Sequence, residues 1–123
     1  MSEPEPRHLL LIDDDDMVNL TFREYLVRGG CEVDAAADLK SARRRLAEQS
    51  YSAIWLDLHL TGTSPAECLA FLCEMRGFAG DAKIIAVSGY ATTAVETQAG
   101  AAGADWFLKK PFDARTVAAL LVA

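Results

Sequence analysis

A chain of 123 residues, 51% hydrophobic and 24% charged, has room for one domain with a real core but not for two. Its net charge of −6 sets 12 basic against 18 acidic side chains without any basic stripe, which argues against direct nucleic-acid binding by this chain. No apolar run approaches the roughly 20 residues of a membrane span, and the opening MSEPEPRH lacks the apolar core of a signal peptide, so a cytoplasmic protein with no membrane contact is expected.

Residues 1–7 read as a flexible polar tail and residues 8–123 as the folded domain. The first strand is predicted over residues 8–12, and it runs into four consecutive acids, Asp13 to Asp16. Asp15 or Asp16 caps a helix with Val18, Phe22, Tyr25 and Leu26 on one face, and Gly29-Gly30 ends it. A second strand over residues 31–35 leads to Asp38, which caps a helix through Gln49 with Leu39, Ala42 and Leu46 facing inward. The third strand, residues 52–56 (SAIWL), is apolar on both faces, as a strand between two helix layers must be, and it ends at Asp57.

Ser64-Pro65-Ala66-Glu67 combines a capping Ser, a Pro in the first helical turn and a reciprocal Glu. The helix it starts is predicted to reach Arg76 and stop at Gly77. KIIAVS, residues 83–88, is a fourth strand, followed by an alanine-rich helix over residues 92–102 with Gly103 behind it. Residues 105–109 form a fifth strand, and Asp113 caps a last helix carrying Val117, Leu120 and Leu121. Cys31, Cys68 and Cys73 have no metal-ligand spacing and are read as reduced, packed thiols.

Five βα units in series imply a three-layer, doubly wound α/β domain: a five-stranded parallel sheet with helices on both faces. Periodicity does not set the strand order. In such sheets function gathers beyond the carboxyl ends of the strands, and four of the five ends carry a polar group. Asp13 and Asp14 follow strand one, Asp57 follows strand three, Ser88 ends strand four and Lys110 follows strand five. With strands one and three as neighbours about 4.8 Å apart, their terminal acids would converge. Converging carboxylates either raise one another's pKa or recruit a cation, and Mg²⁺ prefers such hard oxygen ligands.

These residues resemble a known family, the receiver domains of two-component response regulators. The likeness rests on Leu11-Ile12-Asp13-Asp14, Ile54-Trp55-Leu56-Asp57, Ala86-Val87-Ser88-Gly89, and the run from Gly103 through Phe107 and Lys110 to Pro111-Phe112. It implies the flavodoxin-like order 2-1-3-4-5. It implies Asp57 as phosphoacceptor from a sensor histidine kinase or histidine phosphotransfer protein. Asp14, Asp57 and the His59 backbone carbonyl would hold Mg²⁺, with Asp13 acting through water. Lys110 and Ser88 would bind the phosphoryl oxygens, Ser88 and Phe107 would form a switch, and Pro111 would lock the lysine loop. A downstream effector domain or protein would read the change.

Leu60-Thr61 stands where the family usually has Met-Pro, which is expected to leave that loop less fixed. The His59 side chain is read as facing solvent rather than acting as a ligand or base, and His59 and Tyr90, two residues past Asp57 and Ser88, as large enough to shield a phosphoryl group from water. Lys109 is read as a surface residue, Arg43-Arg44-Arg45 as an exposed helix face, and Trp55 and Trp106 as packing residues. Two rivals remain. A haloacid-dehalogenase-like phosphatase would use Asp13 as nucleophile; a pseudo-receiver would bind proteins without phosphorylation.

Overall fold

The structure, a computed structural model, describes residues 7–89, 92–110 and 115. All of the predicted last helix but residue 115, together with Tyr90, Pro111 and nearly all of the N-terminal tail, lies outside the described residues. The elements run β1 (His8–Ile12), α1 (Asp16–Arg28), β2 (Glu32–Ala36), α2 (Leu39–Glu48), β3 (Ala53–Asp57), α3 (Pro65–Phe78), β4 (Lys83–Ser88), α4 (Thr93–Ala102) and β5 (Trp106–Lys109). All strand pairings are parallel, in the order β2-β1-β3-β4-β5.

The period-two alternation of the strands divides the core in two. Leu10, Ile12, Ile54, Leu56, Ile84 and Ala86 face one way and pack with Ala42 of α2, Phe71, Leu72 and Met75 of α3 and Ala99 of α4. Leu9, Leu11, Trp55, Ile85 and Val87 face the other way, against Phe22 and Leu26 of α1. Each fully buried side chain of this size contributes about 1.5–3 kcal/mol. β3 is buried along its whole length, so its terminal Asp57 is held by a rigid element.

Local signals place the helices. Asp38 accepts from the Ser41 N–H, and Ser64 with Glu67 forms the complete capping box. Several expectations need correction. Tyr25 is exposed rather than inward. Cys73 is exposed, whereas Cys31 and Cys68 are buried. Within the basic run of α2, Arg45 is half-buried and lies 3.7 Å from Asp34. α3 continues through Gly77 to Phe78, and the positive φ expected just past a helix end belongs to Gly80.

Arg76, near the end of α3, joins three elements. Its guanidinium donates to the carbonyls of Gly80 and Ala82, both at 2.8 Å, to the Gly103 carbonyl at 3.4 Å and to Asp105 at 3.1 Å. Asp105 in turn accepts from the Ile84 N–H at 2.8 Å. Gly103 closes α4 at φ +115, and a Cβ there would come within 2.6 Å of the Arg76 side chain. Arg76→Ala strips this junction of its donors and is expected to cost about 2 kcal/mol in urea unfolding; an unchanged midpoint would show the contacts to be incidental.

Candidate functional site

Sheet register assembles the site. Ile12 of β1 pairs with Leu56 of β3, so one residue further on Asp13 and Asp57 lie side by side. Ser88 pairs with Lys109, and the Lys110 N–H donates to the Ser88 carbonyl at 3.0 Å, which carries the lysine onto the same edge. Backbone bonds from Asp13 N–H to Ala36 and from Leu58 N–H to Val87 hold the first steps beyond β1 and β3.

The two buried acids are held alike. Asp13 Oδ1 accepts from the Asp15 N–H at 2.9 Å, and Asp57 Oδ1 accepts from the His59 N–H at 2.8 Å. Each thus uses one oxygen on the amide two residues ahead, the turn chemistry typical of aspartate. The other oxygens meet Lys110, whose Nζ lies 2.9 Å from Asp57 Oδ2 and 3.3 Å from Asp13 Oδ2. Asp14 stands at the rim, its Oδ2 accepting from the Thr61 N–H at 2.8 Å. Where the family pattern has proline, this chain has a donor, and that donor ties the loop to Asp14.

Charge in the site is not balanced by its lysine. Burial pushes the Asp13 carboxyl above its ordinary 3.8, and the Asp57 charge adds to this against the pull of the Asp15 amide and Lys110. Hydrogen bonds from Thr61 hold Asp14 below that value. Burial opposes the Lys110 ammonium, yet the bond to Asp57 and the charges of Asp13 and Asp57 outweigh it and lift the pKa above 10.5. For Asp13 the sign follows directly: the fold prefers the neutral acid, so stability falls as pH rises from 3.8 through the raised folded value. Asp13→Asn keeps an acceptor for Asp15 and removes the charge. Without divalent cation it is expected to stabilise the protein by about 1 kcal/mol, measured by thermal unfolding at pH 7; destabilisation would refute this.

The donor set fits a divalent cation. Asp13, Asp14 and Asp57 each offer a carboxylate oxygen, and these lie within 4.8 Å of one another. They are hard ligands in charge excess over a single ammonium, the environment such ions select.

Ser88 is fully buried at the end of β4, and its hydroxyl lies 2.6 Å from His59 Nε2. The His59 ring therefore turns inward onto Ser88, not outward to solvent. Sequence reasoning missed this because the contact spans 29 positions. Phe107 is half-buried and packs against the larger core cluster. Lys109 is exposed as expected. Trp55 packs against Phe22, with ring centroids 5.0 Å apart, and Lys83 sits over the Trp106 ring at 4.9 Å.

Fold and site together define a class: a doubly wound α/β domain with an acid-and-lysine cluster at the carboxyl edge of its parallel sheet. Residues 9–122 match the model of the response regulator receiver domain, and the chain belongs to that family. It is a regulatory receiver domain of the kind found in two-component response regulators.

The chain is 30% identical over 113 residues to Protein PetR of Rhodobacter capsulatus, covering 92% of this chain and 46% of that protein. It is 32% identical over 107 residues to the regulatory protein VanRB of Enterococcus faecalis, covering 87% and 47%. The chain thus spans about half the length of these curated relatives. Among solved structures, a response regulator from Burkholderia pseudomallei superposes with a TM-score of 0.86 at 30% identity, covering 94% of this chain and 66% of that one. That protein carries a phosphorylated aspartic acid, a calcium ion and citrate. A CheY-like receiver domain from Methanospirillum hungatei shares the fold at a TM-score of 0.87 and 23% identity, covering 95% and 91%. No helix among the described residues is long and apolar enough to cross a membrane.

Proposed function

We propose that residues 8–123 form a phosphoryl-accepting switch with Asp57 as the acceptor. The observation that carries this reading is the Lys110 ammonium bridging the buried carboxylates of Asp57 and Asp13, 2.9 and 3.3 Å away. An Asp57 carboxylate oxygen attacks phosphorus while the N–P bond of a phosphohistidine breaks and its electron pair returns to the imidazole. The donor is a sensor histidine kinase or a histidine phosphotransfer protein; a small phosphodonor such as acetyl phosphate replaces it in vitro, with the domain catalysing its own modification. Lys110 takes up the charge on the phosphoryl oxygens, and the mixed anhydride formed is reactive enough to be hydrolysed again.

Asp14, Asp57 and the His59 carbonyl would hold Mg²⁺, with Asp13 acting through water; when bound, the ion neutralises phosphoryl oxygen charge. Ser88 gives up the His59 ring to bond a phosphoryl oxygen, and Phe107 moves into the space vacated. The surface around α4 and β5 then changes for a downstream effector domain or protein. The test is mass mapping after treatment with acetyl phosphate and MgCl₂. Modification of Asp57 supports the switch; no modification at all sinks it.

A further inference from the structure

Thr61 lies in a tight turn between the phosphoacceptor strand and α3. The Thr63 N–H donates to the Leu60 carbonyl at 3.0 Å, and Gly62 takes φ +77. A four-residue turn with positive φ at its third position is the type II arrangement, and its second position, here Thr61, has the φ that proline favours. The backbone therefore suits either residue, and threonine adds over proline both an N–H and a hydroxyl, each of which acts on the Asp14 carboxylate. That N–H reaches Asp14 Oδ2 at 2.8 Å. Two residues earlier on the same loop, the His59 N–H reaches Asp57 Oδ1 at 2.8 Å.

Alternate amides of one short segment thus hold carboxylates from two different strand ends. The far end of the segment is anchored by the Ser64–Glu67 capping box. Asp14 is the least buried of the three acids, so it has most to lose in order if its donor is removed. One N–H occupies one of the four lone-pair positions of a carboxylate and leaves the others for a cation.

We propose that the Thr61 amide is a positioning group for the divalent cation: it fixes the Asp14 carboxylate beside Asp13 and Asp57 and thereby strengthens cation binding. The inference rests on the cation reading given above. Groups that orient ligating carboxylates in this way are worth about 10–100-fold in metal affinity.

MgCl₂ titrations of wild type, Thr61→Ala and Thr61→Pro, followed by backbone amide chemical shifts, test it. Thr61→Ala keeps the N–H and is expected to bind as wild type does; Thr61→Pro keeps the turn, loses the N–H and is expected to bind about tenfold more weakly. Equal or tighter binding by the proline variant overturns the proposal. So does an alanine variant as weak as the proline one, because the hydroxyl would then carry the effect. Should Thr61→Pro not fold, hydrogen exchange of the Thr61 amide in wild type decides. Protection retained on Mg²⁺ loading supports positioning, and protection lost on loading overturns it. Wild type showing no Mg²⁺-dependent shifts would instead defeat the cation reading itself, an outcome distinct from equal binding by all three proteins.

Discussion

Asp57→Asn is expected to abolish phosphoryl uptake rather than slow it. An amide oxygen is too weak a nucleophile to open an acetyl phosphate, and no stable mixed anhydride with phosphate can form on it. The substitution is nearly isosteric and keeps an oxygen for the His59 N–H, which the wild-type carboxylate binds at 2.8 Å. It should therefore leave the fold intact, and loss of modification then reports chemistry. Wild type treated with acetyl phosphate and MgCl₂ should carry one phosphoryl group on the peptide containing Asp57, removable by hydroxylamine. The variant should carry none. The experiment also separates the rivals: a phosphoryl group found on Asp13 in both proteins would revive the phosphatase nucleophile, and a wild type that never reacts would leave only a binding module.

The parts of this arrangement legible in the sequence are those set by local chemistry. The double-faced apolar run of β3, the Ser64 capping box and the Gly103 helix end each declare themselves within a few residues, and all three are found where expected. Strand boundaries shift by a residue: β2 begins at Glu32 and β3 extends to Asp57, because pairing with a neighbour, not composition, decides where a ladder starts. Gly77 misled because a glycine inside a helix resembles one that ends it until φ is known.

Long-range contacts beyond the convergence of acids and lysine at the strand ends were not readable. Nothing in the letters ties the His59 ring to Ser88, or gathers His8, Tyr51 and Asp34 into the polar cluster at the opposite end of the sheet, where His8 Nε2 and the Tyr51 hydroxyl each reach Asp34 Oδ2 at 2.8 Å. Burial and the Asp34 bond push the Tyr51 hydroxyl up to about 12, so it stays protonated. Thr61 is the instructive case. Its departure from proline was visible, whereas the hydrogen bond that the departure adds to Asp14 was not.

Lys110→Ala should slow phosphorylation by acetyl phosphate by about 10²–10³-fold, the usual cost of removing one preorganised donor from a site where charge develops. Lys110 is an ammonium that touches Asp57, and Lys109 is exposed, so the neighbouring lysine does not replace it. Asp57 should remain the modified residue, since the nucleophile is untouched. A second effect accompanies the first. Lys110 also offsets the buried charge of Asp13 at 3.3 Å, and without it that carboxylate loses its counter-ion. Asp13→Asn should therefore stabilise the Lys110→Ala protein more than it stabilises wild type, a coupling that a double-mutant cycle in urea measures. The two readouts divide the roles of the lysine. A large rate loss that persists in the double variant assigns Lys110 to the phosphoryl oxygens; a rate restored by Asp13→Asn would mean that it serves mainly to hold the acids apart from one another's charge.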